Sequence, residues 1–202
     1  MYYLLLITTL VLSNINSFST NFFQSNSKFL SSNIKTIEFD YSVTGSMQLE
    51  IIKRSQGTAN LIISDTCYKI SMISPQYHNI TISNGTTQTS YNSRSNQIFI
   101  ENSNFKMDSL IFNFFNNIET YVNQYFFLDT SSNNIIESIV GDFKINFFTN
   151  NYAIDSVIII SNKEQFGKVS LFNVKLSEYD NNNFEALFNI NKPNAFILDL
   201  RD

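Results

Sequence analysis

Histidine and cysteine each occur once in this 202-residue chain, and tryptophan does not occur at all. With Cys67 alone, no intramolecular disulfide can form. A zinc site of the usual Cys and His spacing cannot be assembled either. A Ser-His-Asp or Cys-His centre would have to use His78, which sits beside Asn79 at a turn-to-strand stretch. A surface or structural role is far commoner for a histidine so placed. Cys67 reads as a small strand residue, because a catalytic thiol needs an activating base. Neither a G-x-S-x-G elbow nor a phosphate-cradling glycine loop is present. Charged residues make up 15% of the chain, against roughly 25% in an average soluble domain. The formal net charge is -4 with no basic patch, which excludes the lysine- and arginine-rich surface a nucleic acid requires. The carboxylates are scattered, and a paired acid/base site stays open at this level. Nothing calls for a metal or a cofactor, and none is expected.

What is present begins with an apolar run, Leu4–Leu12, followed by Ser17-Phe18-Ser19. Small residues at the two positions a signal peptidase reads place cleavage after Ser19. The run ends at Ser13-Asn14, short of the about 20 apolar residues that span a bilayer. An uncleaved anchor or a buried strand is the competing reading. The expected organisation is a signal peptide at 1–19 and a single domain at 20–202, exported to the periplasm.

Beyond it, short runs alternate between apolar and polar residues, as in an antiparallel sheet with one buried face. Ile37, Phe39, Tyr41 and Val43 alternate in one run, and Met47, Leu49 and Ile51 in the next. Ala59, Leu61 and Ile63 share a face, as do Tyr68, Ile70 and Met72. Ile80 and Ile82 follow, then the turn dipeptide Asn84-Gly85. A hairpin has arms at Thr86–Tyr91 and Gln97–Ile100. Later runs are Phe143, Ile145 and Phe147; Ile154–Ile160; and Ala195–Leu200. Val169 and Leu171 fall out of phase with Phe172, Val174 and Leu176, which predicts a bulge. Asn79-Ile80-Thr81 and Asn84-Gly85-Thr86 match the glycosylation sequon, but such matches arise by chance in an Asn- and Thr-rich chain.

The period changes once. Met107, Leu110, Ile111, Phe114, Phe115 and Ile118 follow the i, i+3, i+4, i+7 spacing of a helix face, with Phe112 as the exception. The period can be followed to Val122. A second helix is expected within Asn21–Ser32, where Phe22, Phe23, Phe29 and Leu30 share a face. Roughly ten antiparallel strands with these two helices make a mainly β fold. A twisted sheet of that size curls, and if it does not close, its concave face is an apolar trough that the central helix can cover. From periodicity alone, an ordinary core under a packing helix is the commoner outcome.

Several stretches resemble the outer-membrane lipoprotein carrier (LolA) family, and more closely its Bacteroidetes-type branch. Asn84-Gly85-Thr86-Thr87-Gln88-Thr89-Ser90-Tyr91, then Asn96-Gln97-Ile98-Phe99-Ile100, is similar to the pattern D-G-K-T-hydrophobic-W-x-Y, then N-hydrophobic-x-hydrophobic. Gly57 with Leu61, Ile63 and Tyr68-Lys69-Ile70 resembles the preceding strands, and Ile34–Tyr41 the exit from the first helix. Asp155–Ile160, Asn162-Lys163, Phe172-Asn173-Val174 and Leu187-Phe188 follow in the family's order, and Ile197-Leu198-Asp199-Leu200-Arg201 resembles a V-I-D-L-R terminus. Ser64-Asp65 stand where many carriers have the Arg-Pro that latches the lid; Asn84 replaces Asp, Gln88 an apolar residue and Thr89 the Trp.

The resemblance implies a curled antiparallel sheet forming an incomplete β-barrel, with an N-terminal helix and a central lid helix. It implies no catalysis. It implies a monomeric carrier that takes acylated lipoproteins from an inner-membrane ABC-type exporter across the periplasm to an outer-membrane acceptor. A periplasmic lipid- or protein-binding module of the same fold, like those of stress sensors, is the alternative. The acyl-chain site would comprise Phe39, Tyr41, Leu61, Tyr68, Ile70 and Ile80 on the sheet, and Leu110, Ile111, Phe114 and Phe115 on the lid. On this reading the lid packs loosely. Truncating Phe114 would then cost less stability than a core phenylalanine and would weaken acyl binding.

Overall fold

The computed structural model describes residues 19–47, 50–103, 107–124, 134–140, 143–161, 167–179 and 187–201. Residues 1–18, which hold nearly all of the expected signal peptide, lie outside this set.

Eleven strands form one sheet, in the order β11-β6-β5-β4-β3-β2-β1-β10-β9-β8-β7. In chain order they are β1 (Lys35–Met47), β2 (Glu50–Ser64), β3 (Cys67–Ile73), β4 (His78–Ser83), β5 (Thr87–Asn92), β6 (Gln97–Asn102), β7 (Asn134–Val140), β8 (Phe143–Asn150), β9 (Ala153–Ser161), β10 (Lys168–Glu178) and β11 (Phe196–Asp199). The sheet is curled and unclosed, with β7 and β11 as its edges. Each pair is antiparallel except β11 with β6, which is parallel.

Residues 19–25 are helical and lead into α1 (Ser27–Ser31). Phe22 and Phe29 are buried in the core, as the expected shared face requires. The Asn26 side chain donates to the carbonyls of Phe22 and Tyr152, at 2.8 and 2.9 Å. These bonds tie the helical segment to the β8–β9 turn. The central helix is α2 (Met107–Asn116), continued after Asn117 by α3 (Ile118–Gln124).

The phase break in β10 is a bulge. Phe39 of β1 stands between Glu38 and Asp40, which pair with Lys175 and Phe172, so Asn173 and Val174 together face one residue. Asn173 takes a left-handed backbone, φ 52°, and its amide donates to the Asp40 carboxylate at 2.7 Å. Asparagine tolerates that conformation better than most residues because its short polar side chain bonds locally. The bulge returns Val174 and Leu176 to the inner face and leaves Phe172 exposed on the outer one.

Directly paired residues in an antiparallel ladder share a face. Ile37, Leu61, Ile70 and Thr81 therefore lie in one row on the inner face, and Ile63, Tyr68, Ser83 and Gln88 lie in a second. These rows show that the inner face changes character at β4. In β1–β3 and β8–β10 it is apolar and makes the main core. In β4–β6 it carries Asn79, Thr81, Ser83, Gln88, Ser90, Asn92, Gln97 and Glu101, with Phe99 the one apolar residue.

The apolar residues of this wing point outward. Ile62, Tyr91 and Ile98 are buried outside the main cluster, together with Leu187 of the C-terminal segment. That segment is fastened by Asn96, whose side chain donates to the Asn194 carbonyl at 2.9 Å, and by Lys192, whose ammonium lies 5.1 Å from the Tyr91 ring centre. Buried apolar side chains thus lie outside the main core as well. Leu187→Ala should remove the buried leucine of this segment. Buried Leu to Ala changes cost about 2–5 kcal/mol, and the lower end applies at this shallow site. A denaturant melt and limited proteolysis near residue 190 check this; an unchanged midpoint would mean the segment is not held by its leucine.

Candidate functional site

The candidate site is the boundary between the helices and the inner face of the sheet. The Ser103 amide donates to the Thr86 carbonyl at 2.8 Å, which places the end of β6 at the start of β5. Four residues later α2 begins. Its Phe112 stacks on Tyr68 of β3, with centroids 4.8 Å apart, and Phe115 stacks on Phe39 of β1 at 6.3 Å. Phe114 meets Phe147 of β8 edge-on at 5.5 Å and stacks on Tyr121 of α3 at 5.4 Å. The helix therefore runs from the polar wing across to the apolar one and seats its aromatics in the curl.

Of the expected site residues, Phe39, Tyr41, Leu61, Tyr68, Ile70, Leu110, Ile111, Phe114 and Phe115 belong to this one buried cluster. Ile80 does not. Its row is Ser71, Ile80, Tyr91 and Ile98, on the outer face. The inner position of the strand is held by Thr81, which pairs with Ile70. The isoleucines of β4 therefore face outward, where they are half-buried.

The expected loose packing of the lid is not what the structure shows. Phe114 and Phe115 have no exposed surface at all, and Leu110 has 5%. Aromatic side chains of α2 fill the trough as fully as any core. Residues outside the expected acyl-chain site complete it: Ile118, Tyr121 and Val122 of α3, Phe147 of β8, and Val157 and Ile159 of β9, of which only Tyr121 had no place in the sequence pattern. The helical period that reaches Val122 was the available signal for α3. Phe112, the exception to the helical stripe, is explained by its stack on Tyr68 at the flank of the helix.

The polar inner wall of the β4–β5 hairpin adjoins this cluster. Ser83 and Gln88 pair directly and are 2% and 3% exposed. Ser83 Oγ accepts the Gly85 amide at 3.2 Å. The Gln88 side-chain oxygen is buried with no hydrogen-bond partner among the described residues. Of the two departures from the family pattern on β5, Gln88 faces inward and Thr89, paired with Ile82, faces outward.

Two further features lie outside the trough. A pocket of about 410 Å³ is lined by Ser32, Asn33, Lys35, Ile63, Asp65 and Asn116, so the turn after β2 stands beside the C-terminal end of α2. An outer groove of about 660 Å³ crosses the bulge, lined by residues that include Glu38, Asp40, Ser71 and Lys175. His78 Nε2 and Ser71 Oγ are 2.8 Å apart on the outer face. Burial and then the charge of Lys192 hold the His78 pKa below its usual value. A depressed histidine pKa favours folding above the unfolded value of about 6.5, and that stability is lost as pH falls. Thermal stability should therefore rise with pH across this range, and His78→Gln should flatten the rise; an unchanged slope would show that His78 does not carry it. Among the described residues, no group of three or more His, Cys, Asp or Glu side chains could hold a metal ion. No described helix is long and apolar enough to cross a membrane.

No protein-family model matches the chain, and no curated protein matches it. Among solved structures it is similar to an uncharacterized conserved protein from Thermus thermophilus, with a TM-score of 0.50 and 9% sequence identity. That match covers 89% of this chain and 98% of the other, and the likeness concerns the fold alone.

Proposed function

We propose that this chain is an exported, non-catalytic carrier of the lipoprotein-carrier type, which binds the acyl chains of lipoproteins and ferries them from the inner to the outer membrane. The observation that carries this reading is an unclosed curl whose apolar concave face is occupied by side chains of a two-helix lid rather than by a second sheet. Such a lid can be exchanged for another apolar guest without breaking a strand pair. An acyl chain gains about 0.8 kcal/mol per buried CH₂, so a chain of about 16 carbons brings ample free energy to displace aromatic rings. The same arithmetic explains why a carrier is needed, since exposed acyl chains do not cross an aqueous compartment.

On this reading the acyl-chain site is formed by Phe39, Tyr41, Leu61, Tyr68 and Ile70, vacated by Leu110, Ile111, Phe114 and Phe115 as α2 lifts. The partners are the acylated lipoproteins, an inner-membrane ABC-type exporter and an outer-membrane acceptor, with the carrier acting as a monomer in the periplasm. The Ser64-Asp65 turn stands beside the lid across the pocket from Asn116, at the place of the Arg-Pro latch in the family the chain resembles, but no such latch carries over to Ser64-Asp65. Native mass spectrometry of protein purified from its own host is the test. Co-purifying acyl chains or acylated peptides are expected, and a chain that never carries either would contradict the reading.

A further inference from the structure

The inner face of the sheet ends on an apolar stripe that the carrier reading does not use. It lies on β11, beside β6 at one edge of the sheet. Phe196 and Leu198 pair with Gln97 and Phe99, so they share the inner face, and Leu200 continues the alternation. Phe196, Ile197 and Leu200 are each more than half exposed. They are three of the five large apolar side chains exposed among the described residues. The one charge on the strand, Asp199, is taken up by its own Arg201, whose Nε donates to it at 2.8 Å. Exposed edge strands usually carry lysine, proline or a bulge that keeps other strands away. β11, Phe-Ile-Leu-Asp, carries none of these.

The backbone shows which atoms are left to pair. The Phe196 and Leu200 amides donate to the Asn96 and Ile100 carbonyls, at 3.1 and 2.8 Å. Even-numbered residues thus turn their N–H and C=O toward β6, and Ile197 and Asp199 turn theirs to the open edge. A second β11, running antiparallel across a two-fold axis at Leu198, meets this edge group for group. Ile197 of each copy exchanges N–H and C=O bonds with Asp199 of the other. Leu198 then faces its own symmetry mate and Phe196 faces Leu200, in the non-hydrogen-bonded pairs whose side chains come closest. Charge and apolar matching select this register. A centre at Asp199 would set two carboxylates opposite each other, and a centre at Ile197 would leave Leu200 facing Asn194.

We propose that β11 is a self-association edge: two copies of the chain pair antiparallel through Ile197–Asp199 about a two-fold axis at Leu198, and each covers the other's apolar stripe. A four-residue strand pair buries well under the roughly 1,600 Å² of a standard interface. The contact therefore forms at high protein concentration, and the dilute protein is the monomer of the carrier reading. It goes beyond that reading and does not depend on it, since each copy keeps its own helices and trough.

Sedimentation velocity from micromolar to millimolar protein tests this, together with single cysteines placed in a Cys67→Ser background. The wild type should pass from monomer to dimer across that range. Ile197→Pro should stay monomeric throughout with little change in denaturation midpoint, because proline there removes only an N–H that faces the open edge. Leu198→Lys should stay monomeric as well, since it sets two ammonium groups side by side at the axis, and it carries the test if the proline variant does not fold. Under mild oxidation Leu198→Cys should give a disulfide-linked dimer at least about tenfold faster than Phe196→Cys, whose symmetry mate lies beyond disulfide reach. A wild type that is monomeric throughout overturns the proposal. So does a dimer that persists in either folded variant, or one that cross-links equally at both cysteines.

Discussion

Phe114→Ala should lower stability by about 3–5 kcal/mol and raise affinity for an acyl chain by about tenfold. The first figure follows from complete burial, since core phenylalanine truncations cost this much. The second follows from what the ring touches. Two contacts, with Phe115 and Tyr121, lie within the lid and would survive its opening; the third, with Phe147, joins lid to sheet and would be lost as α2 lifts. Removing the ring therefore weakens the closed state more than the open one. A ligand that binds only the open state gains by the factor through which opening becomes easier, and about 1.4 kcal/mol is tenfold. This reverses the expectation from sequence that truncation would weaken binding, because on the carrier reading the fully buried ring would compete with the acyl chain for the trough rather than wall it. A denaturant melt paired with titration of a fluorescent fatty acid checks both parts. A stability loss with no acyl binding in either protein would mark α2 as plain core.

Gly57→Ala should cost at least about 3 kcal/mol, at the upper end of what overpacking does. A Cβ at this position would stand 1.9 Å from the Ile73 carbonyl oxygen and 3.0 Å from the Tyr41 hydroxyl. The carbonyl belongs to the backbone at the end of β3, so relief requires β2 and β3 to part beside the bottom of the trough. Gly85→Ala is the control. Its φ is +88°, but the nearest atoms to a Cβ there are 3.9 Å away, so only backbone strain of about 1 kcal/mol is expected. Comparable denaturation midpoints for the two variants would mean that the close approach at Gly57 is not rigid.

The sequence shows the features that depend on local period and hides those that depend on which elements meet. The α2 stripe from Leu110 to Phe115 was legible because a helix repeats its face every 3.6 residues whatever it packs against. The β10 bulge was legible because Leu171 and Val174 cannot share a face without an extra residue. The inward phase of β4 was not. Ile80 and Ile82 alternate as a buried face should, but they lie half-buried on the outer face, and the inner positions of the strand are Thr81 and Ser83. Alternation identifies two faces and cannot say which one receives the lid. The parallel docking of β11 beside β6 is hidden for the same reason, since the partner of a short edge strand is set by the path of the chain between them. The pairing of Ser83 with Gln88 was readable from the Asn84-Gly85 turn, but its burial depended on the phase that alternation left open.

The most direct test uses the lack of tryptophan in this chain. Phe112→Trp places a single reporter on the Tyr68 ring, at the contact between α2 and the sheet. Hexadecanoic acid is titrated into this variant while its tryptophan emission is followed. The account predicts a saturable change at one ligand per protein, shifted to longer wavelength as the indole leaves Tyr68 and meets water. Saturable binding with unmoved emission, or no binding at all, would contradict the claim that the lid gives up the trough to an acyl chain.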